Sequence, residues 1–187
     1  MPSRLSRSTG VPTTVIARVP IRSSSPGLDF EALYRAARDD VYAYVATLLR
    51  DPAGAEDVTA AVFERAYRKQ RTYKASRGSE RAWLFGIARN AALDELRRRK
   101  RAAALAAEPA DLEAAPPEDA ADAALQRAAV HAALATLGPR ERELIGLKFH
   151  AGLDNAEIAA VVGVSVSNAG TQLHRAMTKL REAVEHA

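Results

Sequence analysis

The sequence predicts an all-α protein in which two small helical domains are joined by a flexible acidic linker, the C-terminal domain being a helix-turn-helix. Two observations favour helices: Ala, Leu, Arg and Glu dominate the composition, and apolar residues recur every three or four positions. A third observation divides the chain, because an acidic stretch without a basic residue separates two blocks of mixed charge. With 187 residues, 48% of them hydrophobic, the chain can bury a core as one domain or as two small ones.

The composition also excludes several classes of function. The chain has no Cys, which excludes disulfides, Cys-ligated zinc, iron–sulfur clusters and thiol chemistry. No run approaches 18 apolar residues, so we expect no membrane insertion and a cytoplasmic location. The four histidines are far apart and lack the His-Glu-x-x-His spacing of a metal site: His131, His150, His174 and His186. We therefore expect no cofactor, no metal and no catalytic residue.

Charge changes along the chain in four steps, which we take as domain boundaries. Residues 1–27 carry four Arg and no acid, and are expected to form a disordered basic N-terminal extension. Residues 28–103 carry 16 basic and 11 acidic residues, residues 126–187 carry seven and six, and both blocks are expected to fold. Residues 104–125 carry six acids, no basic residue and three prolines, which deny this spacer one continuous helix. Fully extended, it reaches about 75 Å, so it either lets the blocks bind separate parts of a long partner or is an ordinary solubilising linker.

The pattern of the first block predicts three or four helices, with a basic loop before the long third helix. Apolar spacing predicts helices over 28–49 and about 55–70, and a long third helix from the N-cap Ser79 to the cationic run 97–101. The N-terminal half of the third helix is apolar, with Trp83, Ile87, Ala91 and Leu93, and its C-terminal end is strongly cationic. The loop 71–78 adds cations, and aromatic residues lie between them. Such a pattern suits a nucleic-acid surface that holds unpaired bases. A solvated charge run and a core role for Trp83 are the alternatives.

The second block has clearer signals for the starts and ends of its helices. Helices are predicted over about 125–137 and from Pro139 to a stop at Gly152. Asp154 and Glu157 have the spacing of a capping box. Gly163 follows as a tight turn, and Ser165 is predicted to cap the final helix. A short helix, a Gly turn and a second helix are typical of the helix-turn-helix, although helical hairpins in bundles imitate it.

In a helix-turn-helix the second helix enters the major groove. Its outward positions here are Ser167, Asn168, Thr171, Gln172 and Arg175. Asn and Gln suit adenine edges, and Arg suits guanine or phosphate. These five residues are therefore the candidate contacts to duplex DNA.

Motifs in both blocks resemble the extracytoplasmic-function sigma factors of the sigma-70 family, which are initiation factors of bacterial RNA polymerase. AEDV at 55–58 with Val62-Phe63, RAWLFGIARN at 81–90 and DELRR at 94–98 are similar to the second conserved region of that family. LGPRERE at 137–143, AEIA at 156–159, GVS at 163–165 and LHRA at 173–176 are similar to its fourth region. The motifs follow the family order and cover nearly everything from residue 28 to residue 185.

The resemblance implies a fold, partners and residue roles. The first block would bind the clamp coiled coil of core RNA polymerase through Asp57, Val58 and Phe63. It would recognise and melt the −10 promoter element through Lys74, Arg77, Trp83, Asn90, Asp94, Arg97 and Arg98. The second block would dock on the polymerase flap and contact the −35 element through the five outward residues of its last helix. An anti-sigma factor is a further implied partner, and the chain would associate with the nucleoid when bound to polymerase.

Two positions depart from the family pattern. Ala60-Ala61 replaces Gln-Glu on the polymerase-facing helix, and residues 168–172 (Asn-Ala-Gly-Thr-Gln) replace Thr-Val-Lys-Ser-Arg on the recognition helix. The second change removes two cations, so readout of the −35 element is expected to be weaker or different. A sigma-like adaptor that binds polymerase or an anti-sigma factor without promoter selection is the alternative function, and a plain repressor using only the second block is a third. Transcription from a promoter library with core polymerase separates the three.

Overall fold

The computed structural model describes residues 28–106 and 132–185, and within these residues every regular element is helical. The main helices are α1 (Phe30–Leu49), α2 (Pro52–Lys69), α3 (Glu80–Ala106), α4 (Pro139–Phe149), α5 (Asn155–Val162) and α6 (Val166–Glu185). Two short 3₁₀ turns, Gln70–Thr72 and Ala75–Arg77, connect α2 to α3, and residues 132–136 form a helical segment before α4. The all-α prediction is confirmed. The predicted extension 1–27 and most of the acidic spacer lie outside the described residues.

The first module is a three-helix unit in which α1, α2 and α3 pack against one another. The side chain of Asp29 caps α1 by accepting the amide of Ala32 at 3.0 Å. Arg50 ends α1 in the left-handed conformation (φ 55°), and α2 begins at Pro52. The sequence placed this start near residue 55; it lies earlier because proline is tolerated in the first turn, where its missing N–H would have no helical partner.

The second module is a bundle of α4, α5 and α6 whose predicted start signals are confirmed. Asp154 accepts the amide of Glu157 at 2.8 Å, and Glu157 accepts the amide of Asp154 at 3.1 Å, which completes the capping box. Gly163 adopts φ 74°, a left-handed conformation that glycine reaches without strain, and it turns the chain between α5 and α6. Ser165 then caps α6 by accepting the amide of Asn168 at 3.2 Å.

The two modules pack against each other, and their buried residues form one continuous core. Helix α1 contacts α4, and α3 contacts α5. Tyr44 of α1 is fully buried, with its ring against Phe85 of α3 (centroids 5.5 Å apart) and against the backbone of Gly146 in α4. Helices α1 and α3 of the first module therefore form the surface against which the second module packs.

The packing of the modules determines which residues of α3 are buried. Leu84, Phe85 and Ala88 are fully buried, whereas Trp83 and Ile87 are half-buried. Trp83, for which a core role was one of the alternatives, therefore packs against the core without being enclosed by it. Because α3 lies against its own module on one side and against α5 on the other, it buries two faces rather than one stripe.

Among residues 28–106 and 132–185, no helix is both long enough and apolar enough to span a bilayer.

Candidate nucleic-acid and polymerase interfaces

One face of α3 carries most of the residues predicted to hold the −10 element. At 100° per residue, Trp83, Asn90, Asp94, Arg97 and Arg101 fall within about 60° of one another around the helix. All but Trp83 are exposed. The positions from 83 to 101 span about 27 Å at 1.5 Å per residue. We call these five residues the α3 strip; it is a straight polar track with an aromatic side chain at its N-terminal end.

The basic loop brings two further cations to the aromatic end of the strip. Tyr73 packs edge-on against Trp83, with ring centroids 5.8 Å apart, and its hydroxyl donates to the carbonyl of Gly78 at 3.3 Å. Lys74 and Arg77 lie between Tyr73 and Gly78 in the sequence, and both are exposed. Trp83 is half-buried, so it both packs against the core and leaves part of its ring accessible. The two alternatives for this residue are thus compatible.

The cationic run 97–101 divides into side chains of different kinds. Arg97 pairs with Asp94 at 2.9 Å, and Arg98 pairs with Glu95 at 2.7 Å; both arginines remain largely exposed. Arg99 is only 19% exposed and bridges Glu95 and Asp51, at 2.7 and 2.8 Å. Arg99 therefore ties α3 to the start of α2 and is not directed at a ligand.

These pairs also set the charge of the carboxylates. Hydrogen bonds from Arg98 and then from Arg99 lower the pKa of Glu95 to about 2, so this carboxylate stays ionised. The backbone amide of Gly54, followed by Arg99, lowers the pKa of Asp51. An ideal Cβ on Gly54 would overlap the Arg99 guanidinium and the Asp51 carboxylate, so a side chain at this position would displace that ion pair.

The three residues predicted to bind polymerase do not form one surface. Asp57 is exposed, whereas Val58 and Phe63 are 9% and 7% exposed. Phe63 packs edge-on against Tyr34 and Phe30, at 4.7 and 6.4 Å between ring centroids. Phe63 and the exposed Ala60 line a groove of about 550 Å³ between α1 and α2. Asp57 is thus the accessible residue of the three, whereas Val58 and Phe63 belong to the buried core.

The recognition helix α6 exposes four of its five predicted contacts. Ser167, Asn168, Thr171 and Arg175 are exposed, and Gln172 is half-buried. The Gln172 amide nitrogen donates to Asn168 Oδ1 at 2.8 Å. The Thr171 hydroxyl donates to the carbonyl of Ser167 at 3.0 Å, which leaves its oxygen lone pairs outward. The helix thus presents an ordered set of polar groups.

A group of charged residues at the module junction was not identified from the sequence. Glu143 of α4 is 6% exposed at its side chain; it accepts from Arg89 of α3 and, at 2.6 Å, from Arg140 of its own helix. Arg81 of α3 donates to Asp40 of α1 and to the carbonyls that end α4, at residues 150 and 151. Two cations in the apolar N-terminal half of α3 were the available signal, but their partners lie more than 40 residues away along the chain.

His150 lies at the same junction. Its Nε2 is 3.2 Å from the Thr47 hydroxyl of α1. Burial lowers the pKa of His150, and the nearby Asp40 carboxylate opposes this shift in part. The neutral imidazole is therefore favoured while the modules are packed together. Across the described ranges, no three His, Asp or Glu side chains are grouped so that they could hold a metal ion.

The fold and these surfaces define a two-module helical protein with a polar strip on one module and a recognition helix on the other. Residues 33–102 match the model of Sigma-70 region 2, and residues 127–180 match that of Sigma-70, region 4. The chain belongs to the sigma-70 family and is an extracytoplasmic-function sigma factor, a protein of promoter-specific transcription initiation.

Relatives and solved structures agree with this assignment. The chain is 30% identical over 168 residues to the ECF RNA polymerase sigma factor SigL of Mycobacterium tuberculosis, covering 89% of this chain and 94% of SigL. It is 34% identical over 154 residues to BldN of Streptomyces coelicolor, covering 81% of this chain and 58% of BldN. The fold is similar to the sigma factor RpoE of Bartonella quintana, solved with the anti-sigma factor NepR, with a TM-score of 0.67, 22% identity and coverage of 84% and 97%. It is also similar to CnrH, solved with the cytosolic domain of CnrY, with a TM-score of 0.62, 24% identity and coverage of 84% and 88%.

Proposed function

We propose that the two modules divide promoter recognition between them. The first module binds core RNA polymerase through the exposed side of α2 around Asp57 and opens the −10 element along the α3 strip. The second module contacts the −35 element through α6. The modules carry these tasks on separate elements, which suits a factor that handles single strands and intact duplex at the same time.

The observation that carries this proposal is the composition of the α3 strip. Opened DNA needs cations for its phosphates and an aromatic face for an unstacked base. The loop supplies Lys74 and Arg77 near the partly accessible ring of Trp83, and the strip supplies Arg97 further along α3. Asn90 and Asp94 add hydrogen-bonding groups that single-stranded base edges can use.

The packed arrangement of the modules requires that they separate on the promoter. Elements centred near −10 and −35 lie about 25 base pairs apart, or about 85 Å of duplex at 3.4 Å per base pair. In the packed form, Ser79 beside the basic loop donates a hydrogen bond to Glu157 at the start of α5. Helix α6 itself is only about 30 Å long. Both modules therefore cannot reach their elements until the junction opens.

Two further features belong to the same proposal. An anti-sigma protein is a regulatory partner that would act on one or both modules, and the chain carries no catalytic reaction of its own. Nucleoid association follows from binding to polymerase on DNA. A sigma-like adaptor that binds polymerase or an anti-sigma factor without promoter selection is the second candidate, favoured by the loss of two cations from α6.

The test is transcription with core RNA polymerase on a library of promoters. We expect the wild-type chain to produce transcripts from a defined subset, and Arg97→Ala and Asn90→Ala to lower that output while the fold and polymerase binding persist. Arg35→Ala is the matched control, since Arg35 is exposed on α1 and pairs only with Glu31 of the same helix among the ion pairs of the described residues. Polymerase binding without promoter-specific transcripts would replace the proposal with the adaptor. DNA binding that is indifferent to polymerase would replace it with the repressor.

A further inference from the structure

The recognition helix is connected to α4 by a chain of side-chain hydrogen bonds. Arg140 Nε donates to Gln172 Oε1 at 3.1 Å, and Gln172 Nε2 donates to Asn168 Oδ1 at 2.8 Å. At its other end, the Arg140 guanidinium donates to the buried carboxylate of Glu143 at 2.6 Å. We call Arg140, Gln172 and Asn168 the amide relay.

The direction of each hydrogen bond in the relay is dictated by chemistry. A guanidinium has only donors, so the oxygen of the Gln172 amide must face Arg140. The nitrogen of that amide then faces Asn168, and only the oxygen of Asn168 can accept from it. If the Gln172 amide turned over, its NH2 group would face the Arg140 donor; if the Asn168 amide turned over, its NH2 group would face the NH2 group of Gln172.

The relay therefore determines what α6 offers to a base. Each amide oxygen faces along the relay and already accepts one hydrogen bond, which leaves it one lone pair. Three amide N–H groups remain, two on Asn168 and one on Gln172, so the relay presents more donors than acceptors. Adenine is read by an amide that gives one donor and one free acceptor, whereas guanine presents two neighbouring acceptors, O6 and N7. Arg175, one turn further along the same side of α6, adds more donors.

We propose that Arg140 is a positioning residue that turns the amides of Asn168 and Gln172 into donors and thereby makes the −35 readout select guanine over adenine. The amide types alone suggest adenine, and the relay reverses that preference. Arg140 acts through Gln172 and needs no contact with DNA for this effect. Its own position is maintained by Glu143, one helical turn away on α4.

The inference rests on the proposed −35 contact, so its test must separate the two. Transcription with core RNA polymerase is measured on promoters that carry each of the four base pairs at every position of the −35 region. For the wild-type chain we expect one position at which guanine exceeds adenine by about tenfold or more. For Arg140→Met, which keeps the length of the side chain but has no donor, we expect that ratio to fall below about threefold. Arg140→Lys, which regains a donor, should recover part of it.

The matched control is Arg142→Met. Arg142 lies on the same helix and donates to the carbonyl of Leu137 at 2.6 Å, so it is equally embedded in the module but outside the relay. A purely structural role would make both variants lower transcription from all four promoters alike, and that result would overturn the inference. A wild-type preference for adenine would also overturn it and leave initiation intact. Output that ignores every −35 base would instead overturn the proposed −35 contact itself.

Discussion

Gly146 is the position where the packing of the two modules can be tested with a single methyl group. An ideal Cβ at this residue lies 2.8 Å from Cδ2 and 3.2 Å from Cε2 of Tyr44, closer than side chains tolerate. Tyr44 is 0% exposed, so its ring has no open space into which to move. Gly146→Ala should therefore separate α4 from α1. Overpacking of this kind costs about 1–3 kcal/mol, which lowers the packed-to-separated ratio by about 5- to 150-fold.

The same substitution has the opposite effect on α4 alone. Alanine stabilises a helix interior by up to about 1 kcal/mol relative to glycine. If Gly146→Ala reduces the packing between the modules while the helical content is retained, the effect lies at the contact between the modules and not in the folding of the second module. Gly86→Ala is the matched control, because Gly86 lies in α3 with nothing within 4 Å of an ideal Cβ.

Energy transfer between two dyes measures the separation of the modules. The chain has no cysteine, so Ala36→Cys on α1 and Glu185→Cys on α6 introduce labelling sites at exposed positions. We expect high transfer in the parent and in Gly86→Ala, and reduced transfer in Gly146→Ala with the helical content unchanged. Equal transfer in all three proteins would refute the close approach of Tyr44 and Gly146.

Three further outcomes follow from the contacts. Because burial lowers the pKa of His150 in the packed form, separated modules bind more protons; packing should weaken as pH falls from 7.5 to 5.5, and His150→Gln should remove this dependence of energy transfer on pH. In salt titrations of single-strand binding, Arg77→Ala should reduce the slope of log affinity against log salt concentration by about 0.7, because one phosphate contact is lost. Arg99→Ala should leave that slope unchanged and instead lower the melting temperature, because it breaks the ion pair with Asp51. Gly170→Ala should stabilise α6 by up to about 1 kcal/mol, since an ideal Cβ there meets only Asn155 Nδ2 at 3.5 Å; a lower melting temperature would contradict this.

Local signals in the sequence predicted the helix starts well. The caps at Ser79 and Ser165, the capping box at Asp154 and the turn at Gly163 each depend on residues within four positions, and all are confirmed. The start of α2 was predicted late, because Pro52 was read as an interruption when it occupies the first helical position.

Long-range packing could not be predicted in the same way. Helix α3 contacts α5 of the second module as well as α1 and α2 of its own module, and nothing in the spacing of that helix indicates the second partner. Glu143 reads as one more surface acid in a charged stretch, yet it lies between two arginines, one of them from the other module.

In the candidate site, too, the exposure of some residues could be predicted from the local sequence, whereas the roles of others depend on long-range packing. Exposure of Lys74, Arg77 and Arg97 follows from their being cations in a loop and at a helix end. By contrast, the structural role of Arg99 depends on the approach of Asp51 and on the absence of a side chain at Gly54. Resemblance identified the motif, but the geometry separates the contact residues from those that support them.

The central claim is that the first module opens promoter DNA around Trp83. Permanganate reactivity of thymines in the −10 region measures this opening directly in the complex of core RNA polymerase, this chain and a promoter. We expect reactive thymines with the wild-type chain and strongly reduced reactivity with Trp83→Ala, while Tyr67→Ala, an exposed aromatic of the same module, retains the wild-type pattern. Reactivity that is absent with the wild-type chain, or unchanged in Trp83→Ala, would contradict the account.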